Sequence, residues 1–89
     1  MKSEHIKSIK AEMETFCKTK NLEIICFIEF PHTWFMVWLC GKNHIKLINE
    51  WLEEKKSTRI VKFFHYKISE KPVEGRKGVA CYNVFLNPQ

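Results

Sequence analysis

The sequence predicts an α+β fold of two layers, in which a four-stranded antiparallel sheet carries two helices on one face. Two segments have apolar residues at every third or fourth position, as on an amphipathic helix. Four other segments are rich in β-branched and aromatic residues, as in strands. Their order along the chain is αββαββ. With 89 residues, the chain is too short to divide its core, so we predict one domain spanning 1–89.

The first half of the chain predicts a helix followed by a hairpin. Between Glu4 and Lys20, the residues with helical apolar spacing are Ile6, Ile9, Met13, Phe16 and Cys17. Leu22–Phe30 and Trp34–Cys40 have the composition of strands. The three residues between them, 31–33, suit a short turn, so the two strands should pair in antiparallel fashion.

The second half predicts a helix and two further strands. Gly41 interrupts the apolar run, Asn43 is a candidate cap, and the next apolar stripe consists of Ile45, Ile48, Trp51 and Leu52. Thr58–Ile68 and Val79–Leu86 predict strands, and 69–78 predicts a long exposed loop. Moving the last strand to the front converts αββαββ into βαββαβ, so we expect a circularly permuted ferredoxin-like arrangement.

The four cysteines are predicted to be reduced thiols, because each lies among apolar neighbours and nothing indicates secretion. If Phe30 pairs with Trp34, Cys26 lies opposite Trp38 and Cys40 lies opposite Ile24. In that register Cys26 and Cys40 are not direct cross-strand partners, which argues against a disulfide between them.

Strand alternation predicts two faces of the sheet. The face assigned to the helices consists of Leu22, Ile24, Cys26, Ile28, Phe30, Trp34, Met36, Trp38 and Cys40. The face predicted to be open consists of Ile25, Phe27, Phe35, Val37 and Leu39, extended by Arg59, Val61, Phe63, His65 and Lys67, with Glu23 and Glu29 near its ends. A small protein rarely leaves such an apolar patch bare, so we expect it to contact a partner.

Charge is concentrated in the last third of the chain. The segment 55–78 holds eight basic and two acidic residues, a net charge of +6, whereas the chain as a whole carries +5. The remaining residues are therefore close to neutral. A field of one sign attracts polyanions or acidic protein surfaces.

Charge and aromatic residues together predict non-catalytic binding of nucleic acid, either RNA or single-stranded DNA, through a basic C-terminal hairpin. The candidate phosphate contacts are Arg59, Lys62, Lys67, Lys71, Arg76 and Lys77, and the candidate stacking residues are Phe27, Phe35 and Phe63. The alternative is a small inhibitor or adaptor, of viral or mobile-element type, that docks on an acidic or nucleic-acid-binding protein surface. A homodimer through the open sheet face is also expected, since two-fold dimers are common.

Several function classes are disfavoured by composition. The chain has no aspartate and three glycines, which argues against nucleotide-driven enzymes with phosphate-binding loops. The cysteines and histidines lack zinc-ligand spacing. We therefore predict no enzyme activity, no cofactor and no metal. The charged N-terminus and short apolar runs predict a cytoplasmic protein with no membrane partner.

Overall fold

A computed structural model describes residues 3–30, 34–68 and 78–87 of the protein. These residues form two helices and four strands: α1 (Ser3–Thr19), β1 (Glu23–Phe30), β2 (Trp34–Cys40), α2 (His44–Ser57), β3 (Val61–Ile68) and β4 (Ala80–Leu86). The predicted turn at 31–33 and positions 69–77 of the predicted loop lie outside the described residues. The predicted element order is confirmed.

The strands form one antiparallel sheet in the order β1-β2-β4-β3. The central pair, β2 and β4, therefore comes from different halves of the chain, and β1 and β3 are the two edges. The prediction of an α+β fold with a four-stranded antiparallel sheet is confirmed. The relation to a ferredoxin-like arrangement by circular permutation stays a prediction.

Both helices pack on the same face of the sheet. They contribute one apolar stripe each, made of Ile6, Ile9, Met13 and Cys17 in α1 and of Ile48, Trp51 and Leu52 in α2. The stripes meet because the helical spacing places their members on one side of each helix. Burying one such large side chain contributes about 1.5–3 kcal/mol. The helices also contact each other through Phe16 and Trp51, whose ring centroids are 6.0 Å apart.

The two helices end in the same way. Asn21 after α1 and Arg59 after α2 have left-handed backbones, with φ of 58° and 64°. In each case the N–H of the following residue donates to the carbonyl five positions back, at 2.7 Å after α1 and 2.9 Å after α2. These hydrogen bonds form the Schellman motif, which satisfies the last helical carbonyls. Residues 58–60, predicted as strand, therefore form the turn that follows α2, and β3 begins at Val61.

The turn from β2 into α2 requires glycine at position 41. Gly41 has φ of 139°, and a Cβ there would lie 2.8 Å from Leu22 Cδ2. Asn43 is the residue that precedes α2, as predicted, but its side chain makes no capping hydrogen bond. Asn43 is therefore the N-cap residue by position, as predicted, and its left-handed backbone, with φ of 59°, forms the turn into the helix.

Each edge strand contains a β-bulge. In β1 the register shifts between Ile24 and Cys26, so Ile25 is the extra residue. In β3 it shifts between Val61 and Phe63, so Lys62 is the extra residue. A bulge changes which side of the sheet the following residues face. The two bulges therefore decide which side chains of β1 and β3 face away from the helices.

Candidate functional site on the open face of the sheet

The central strands show which side of the sheet is covered by the helices. Alternate residues of β2 and β4 are fully or almost fully buried: Phe35, Val37, Leu39, Ala80, Tyr82, Val84 and Leu86. These residues and Val61 belong to the hydrophobic core. We call this side the covered face. The opposite side, the open face, carries Cys26, Ile28, Phe30, Trp34, Met36, Trp38, Cys40, Phe63, His65, Lys67, Cys81, Asn83 and Phe85, all of them half-buried or exposed.

The predicted assignment of the two faces is wrong for β2, for β1 beyond Ile25 and for Val61, which is buried. It is correct for Phe63, His65 and Lys67 of β3. The alternation itself is present in β2, but Phe35, Val37 and Leu39 contact the helices and Trp34, Met36 and Trp38 do not. Both sets are apolar, so hydropathy did not distinguish them. In β1 the bulge at Ile25 leaves Ile24 on the covered face and Cys26 on the open face, although the two residues are two positions apart.

Two of the predicted stacking residues are unable to contact a ligand on the open face. Phe35 is 0% exposed and lies in the core. Phe27 packs against the core from the covered side, and Lys10 Nζ of α1 lies 5.0 Å from its ring centroid. Phe63 is on the open face and is 42% exposed. The predicted placement is therefore wrong for Phe27 and Phe35 and correct for Phe63.

Four aromatic rings form a continuous row across the open face. The aromatic row consists of Phe30, Trp34, Phe85 and Phe63, one residue from each strand in the order of the sheet. Ring centroids are 3.9 Å apart for Phe30 and Trp34, 5.3 Å for Trp34 and Phe85, and 4.2 Å for Phe85 and Phe63. The three interplanar angles are 4°, 15° and 16°. The row exists because its members are direct cross-strand partners.

The rings of the aromatic row stand on edge. Rings lying flat side by side could not bring their centroids this close, so neighbouring rings face each other. The middle rings, Trp34 and Phe85, therefore direct their edges away from the sheet. Phe30 and Phe63, at the ends, each have one ring face that no other member of the row covers.

Two further rows lie beside the aromatic row. The first contains Ile28, Met36, Asn83 and His65, and the second contains Cys26, Trp38, Cys81 and Lys67. Asn83 Nδ2 and His65 Nε2 are 3.0 Å apart; an amide N–H that donates there leaves the imidazole proton on Nδ1. Burial, and secondarily the nearby Cys26, raises the pKa of Cys81. This thiol is thus a weak nucleophile at neutral pH.

Basic residues lie along the β3 edge of the open face. Lys67 is exposed and is the cross-strand partner of Cys81 on this face. Lys62, the bulge residue next to Phe63, and Arg59 are also exposed. The Arg59 carbonyl accepts a hydrogen bond from the Asn87 side-chain amide at 2.7 Å, which ties the start of β3 to the end of β4. The other predicted phosphate contacts, Lys71, Arg76 and Lys77, lie outside the described residues.

Three members of the aromatic row were not predicted as stacking residues: Phe30, Trp34 and Phe85. The predicted pairing of Phe30 with Trp34 was correct and already placed two large rings side by side. The sequence did not indicate which face of the sheet these two rings occupy. Phe85 joined them only through β2–β4 pairing, where Trp34 is its partner, and this pairing depends on the strand order.

Other features bear on function within the described residues. No group of three or more His, Cys, Asp or Glu side chains there is arranged to hold a metal ion. Neither described helix is long and apolar enough to cross a membrane. No protein-family model, curated protein or solved structure matches the chain.

Proposed function

We propose that this protein binds single-stranded nucleic acid, either RNA or single-stranded DNA, on the open face of its sheet. The proposal is based on the position of the aromatic row beside the cationic residues of the β3 edge. Sequence-tolerant binding of single strands combines aromatic rings, which contact bases, with cations that follow the phosphates. The open face has both parts within one sheet.

The orientation of the rings defines how bases would be held. Edge-to-face packing is one of the two favoured geometries of aromatic pairs, because the positive edge of one ring meets the negative face of the other. A base that lies flat over Trp34 and Phe85 would place its ring face against the edges that these two side chains direct away from the sheet. A base at the end of the row would instead stack on the uncovered face of Phe63.

The charge distribution supports a backbone path along β3. Lys62 and Lys67 lie on β3, whereas Glu23 and Glu29 lie on β1 at the opposite edge of the sheet. Phosphates would therefore be attracted to the β3 side and repelled from the β1 side. In this proposal Arg59, together with Lys71, Arg76 and Lys77 of the 69–77 segment, extends the cationic path.

The proposal assigns a binding role and no catalytic step. The four cysteines are free thiols, and free thiols suit the reducing cytoplasm, which is where we place this activity. Contacts to phosphates and to ring edges do not discriminate strongly between bases. We therefore propose weak sequence selectivity and strong dependence on salt.

Titration of labelled single-stranded RNA, single-stranded DNA and duplex DNA at several salt concentrations, followed by fluorescence anisotropy, tests the proposal. Binding to single strands should weaken with salt at about −0.7 in log K per log salt for each phosphate contacted. Phe63→Ala should reduce affinity roughly tenfold or more, which corresponds to one lost base contact.

Tyr66→Ala is the matched control for Phe63→Ala. Tyr66 lies on the same strand with nearly the same exposure, 41% against 42%, but it pairs with Tyr82 on the covered face. The proposal requires Tyr66→Ala to bind like the wild type. Equal losses in both variants would contradict a role for the open face.

A cation pair provides the second comparison. Lys67→Glu on the open face should weaken binding to all single strands and flatten the salt dependence by about one phosphate. Lys46→Glu, at an exposed position of α2, should have a smaller effect.

Absence of binding by the wild type at low salt would overturn the proposal and favour the adaptor hypothesis, in which the open face docks on a partner protein. Loss of binding on dimer formation would instead point to the homodimer through this face.

A further inference from the structure

The two edge strands differ from the rest of the sheet in what they expose. The large hydrophobic side chains that are exposed among the described residues are Ile28, Phe63, Tyr66 and Ile68. Ile28 is on β1, and the other three are on β3. Among the residues that the structure describes, the outer sides of β1 and β3 have no partner strand, and such edges present backbone N–H and C=O groups that are templates for pairing with another chain.

Each cross-strand row of the sheet runs straight from a residue of β1 to a residue of β3. The aromatic row runs from Phe30 on β1 to Phe63 on β3 by direct partners, without stagger. On the covered side another row runs in the same way from Phe27 to Tyr66. Because strands alternate in direction across the sheet, β1 and β3 are antiparallel. A second copy shifted sideways along the sheet would therefore place its β1 antiparallel to β3 of the first.

We propose that β3 of one molecule pairs with β1 of a second copy, so that molecules join head to tail into a continuous sheet. Phe63 would lie opposite Phe30 of the second copy, and each would cover the ring face that the other leaves open. Tyr66 would lie opposite Phe27 of the second copy. Every pair in this register joins residues of the same face, as a sheet requires.

The bulges do not interrupt this register. They lie at Ile25 and Lys62, whereas the paired stretches are 26–30 on β1 and 63–67 on β3. Bulges, prolines and inward-pointing charges protect many natural sheet edges from pairing. Neither paired stretch contains a bulge or a proline. The inward-pointing charge in these stretches is Glu29, on the covered side of β1, and in this register it lies diagonal to Lys62.

Charge favours pairing of β3 with β1 of a second copy over pairing of β3 with β3 or of β1 with β1. Strand β1 carries Glu23 and Glu29 and no basic residue, and β3 carries Lys62 and Lys67 and no acidic residue. Pairing β3 with β3 would bring lysines of two copies together, and pairing β1 with β1 would do the same for glutamates. Like charges across a strand pair are destabilising. In the proposed register Glu29 of the second copy lies opposite Phe64 and diagonal to Lys62.

The helices leave room for this contact. Helix α1 packs over β1 and α2 over β3. Two strands span roughly 9.5 Å of sheet and a helix is about 10 Å wide. Helix α1 of the second copy would therefore lie beside α2 without overlap. Such a contact is heterologous, so it can add further copies instead of closing at two.

Sedimentation over a range of protein concentrations tests the proposal, with variants that disable one edge each. Tyr66→Lys introduces a cation into the β3 edge next to Phe27 and Lys10 of the second copy. Glu29→Lys reverses the charge of the β1 edge. The wild type should increase in mass with concentration beyond a dimer, and each variant alone should remain at the mass of one chain.

Mixing the two variants gives the decisive result. Tyr66→Lys keeps an intact β1 edge and Glu29→Lys keeps an intact β3 edge, so the mixture should form a 1:1 heterodimer and nothing larger. A dimer that pairs like edges or open faces would not show this complementation. A mixture that stays monomeric, or a wild type that is monomeric or stops at a dimer, would overturn the proposal.

Two controls keep the test interpretable. Circular dichroism and thermal unfolding establish that each variant is folded, and Tyr66→Arg, which places the same charge at this site, 41% exposed, replaces Tyr66→Lys if the latter unfolds. The inference does not rest on nucleic-acid binding. Neither Tyr66 nor Glu29 belongs to the open face, so each proposal can fail while the other holds. Strand pairing would cover the end face of Phe63 in every molecule except the last, whereas the ring edges of Trp34 and Phe85 would stay accessible.

Discussion

The covered and open faces of the central strands are similar in hydrophobicity and differ in burial. On β2, Phe35, Val37 and Leu39 are completely buried, whereas Trp34, Met36 and Trp38 remain partly accessible. The difference arises from the two helices, which pack on one side only. An apolar alternation thus divides the residues of a strand into two sets but does not say which set forms the core.

Phe35→Ala should lower the free energy of unfolding by about 3–5 kcal/mol, because it leaves a cavity in a fully packed core. Phe63→Ala, on the open face, should lower it by less than about 1 kcal/mol, since its ring is already accessible to water. Urea denaturation of both variants measures the difference. Similar losses in the two variants would mean that the open face is buried in solution.

The cysteines provide a chemical test of the same contrast. Burial, and secondarily Glu14, raises the pKa of Cys17 in the core to about 11. At pH 8 this reduces the thiolate fraction about 100-fold relative to a thiol with a pKa near 9. Iodoacetamide should therefore modify Cys26 and Cys40 first, Cys81 more slowly and Cys17 last.

Peptide mass spectrometry at timed intervals measures these alkylation rates. Denaturation in urea is the control, since all four thiols should then react at similar rates. Raising the pH toward 11 should increase the rate at Cys17, because more of its thiol is ionised. Equal rates for Cys17 and Cys26 in the native protein at pH 8 would contradict the assignment of Cys17 to the core.

Tyr82→Phe should raise the free energy of unfolding by about 1 kcal/mol. The Tyr82 hydroxyl is buried on the covered face and has no hydrogen-bond partner among the described residues, and an unsatisfied buried polar group is destabilising. Thermal and urea unfolding would detect the gain. A loss of stability would show that the hydroxyl is hydrogen-bonded, for example to a buried water molecule.

Much of the fold could be predicted from the sequence, because helical spacing and strand composition are local properties. The element order, the α+β class and the pairing of Phe30 with Trp34 were predicted correctly. The bulges at Ile25 and Lys62 were not, because an extra residue in a strand leaves no mark on composition. For this reason Cys40 pairs with Glu23 and not, as predicted, with Ile24.

The candidate site was harder to predict than the fold. Phe63 was identified, but Phe27 and Phe35 were placed on the wrong face. Membership in the aromatic row depends on three strand pairings at once, and Phe85 connects the two halves of the row by pairing with Trp34 and with Phe63. The binding role of the basic residues 59–77 stays a prediction.

The strand order has a consequence for how the chain folds. Each half of the sequence contains a helix and the edge strand that follows it, and these pack together across short stretches of chain. Pairing of β2 with β4 instead joins residues from opposite halves of the sequence. Long loops must close before this pairing gains any free energy. The centre of the sheet, its most buried part, is therefore expected to be the last to form, which makes β2–β4 docking the step that sets the folding rate.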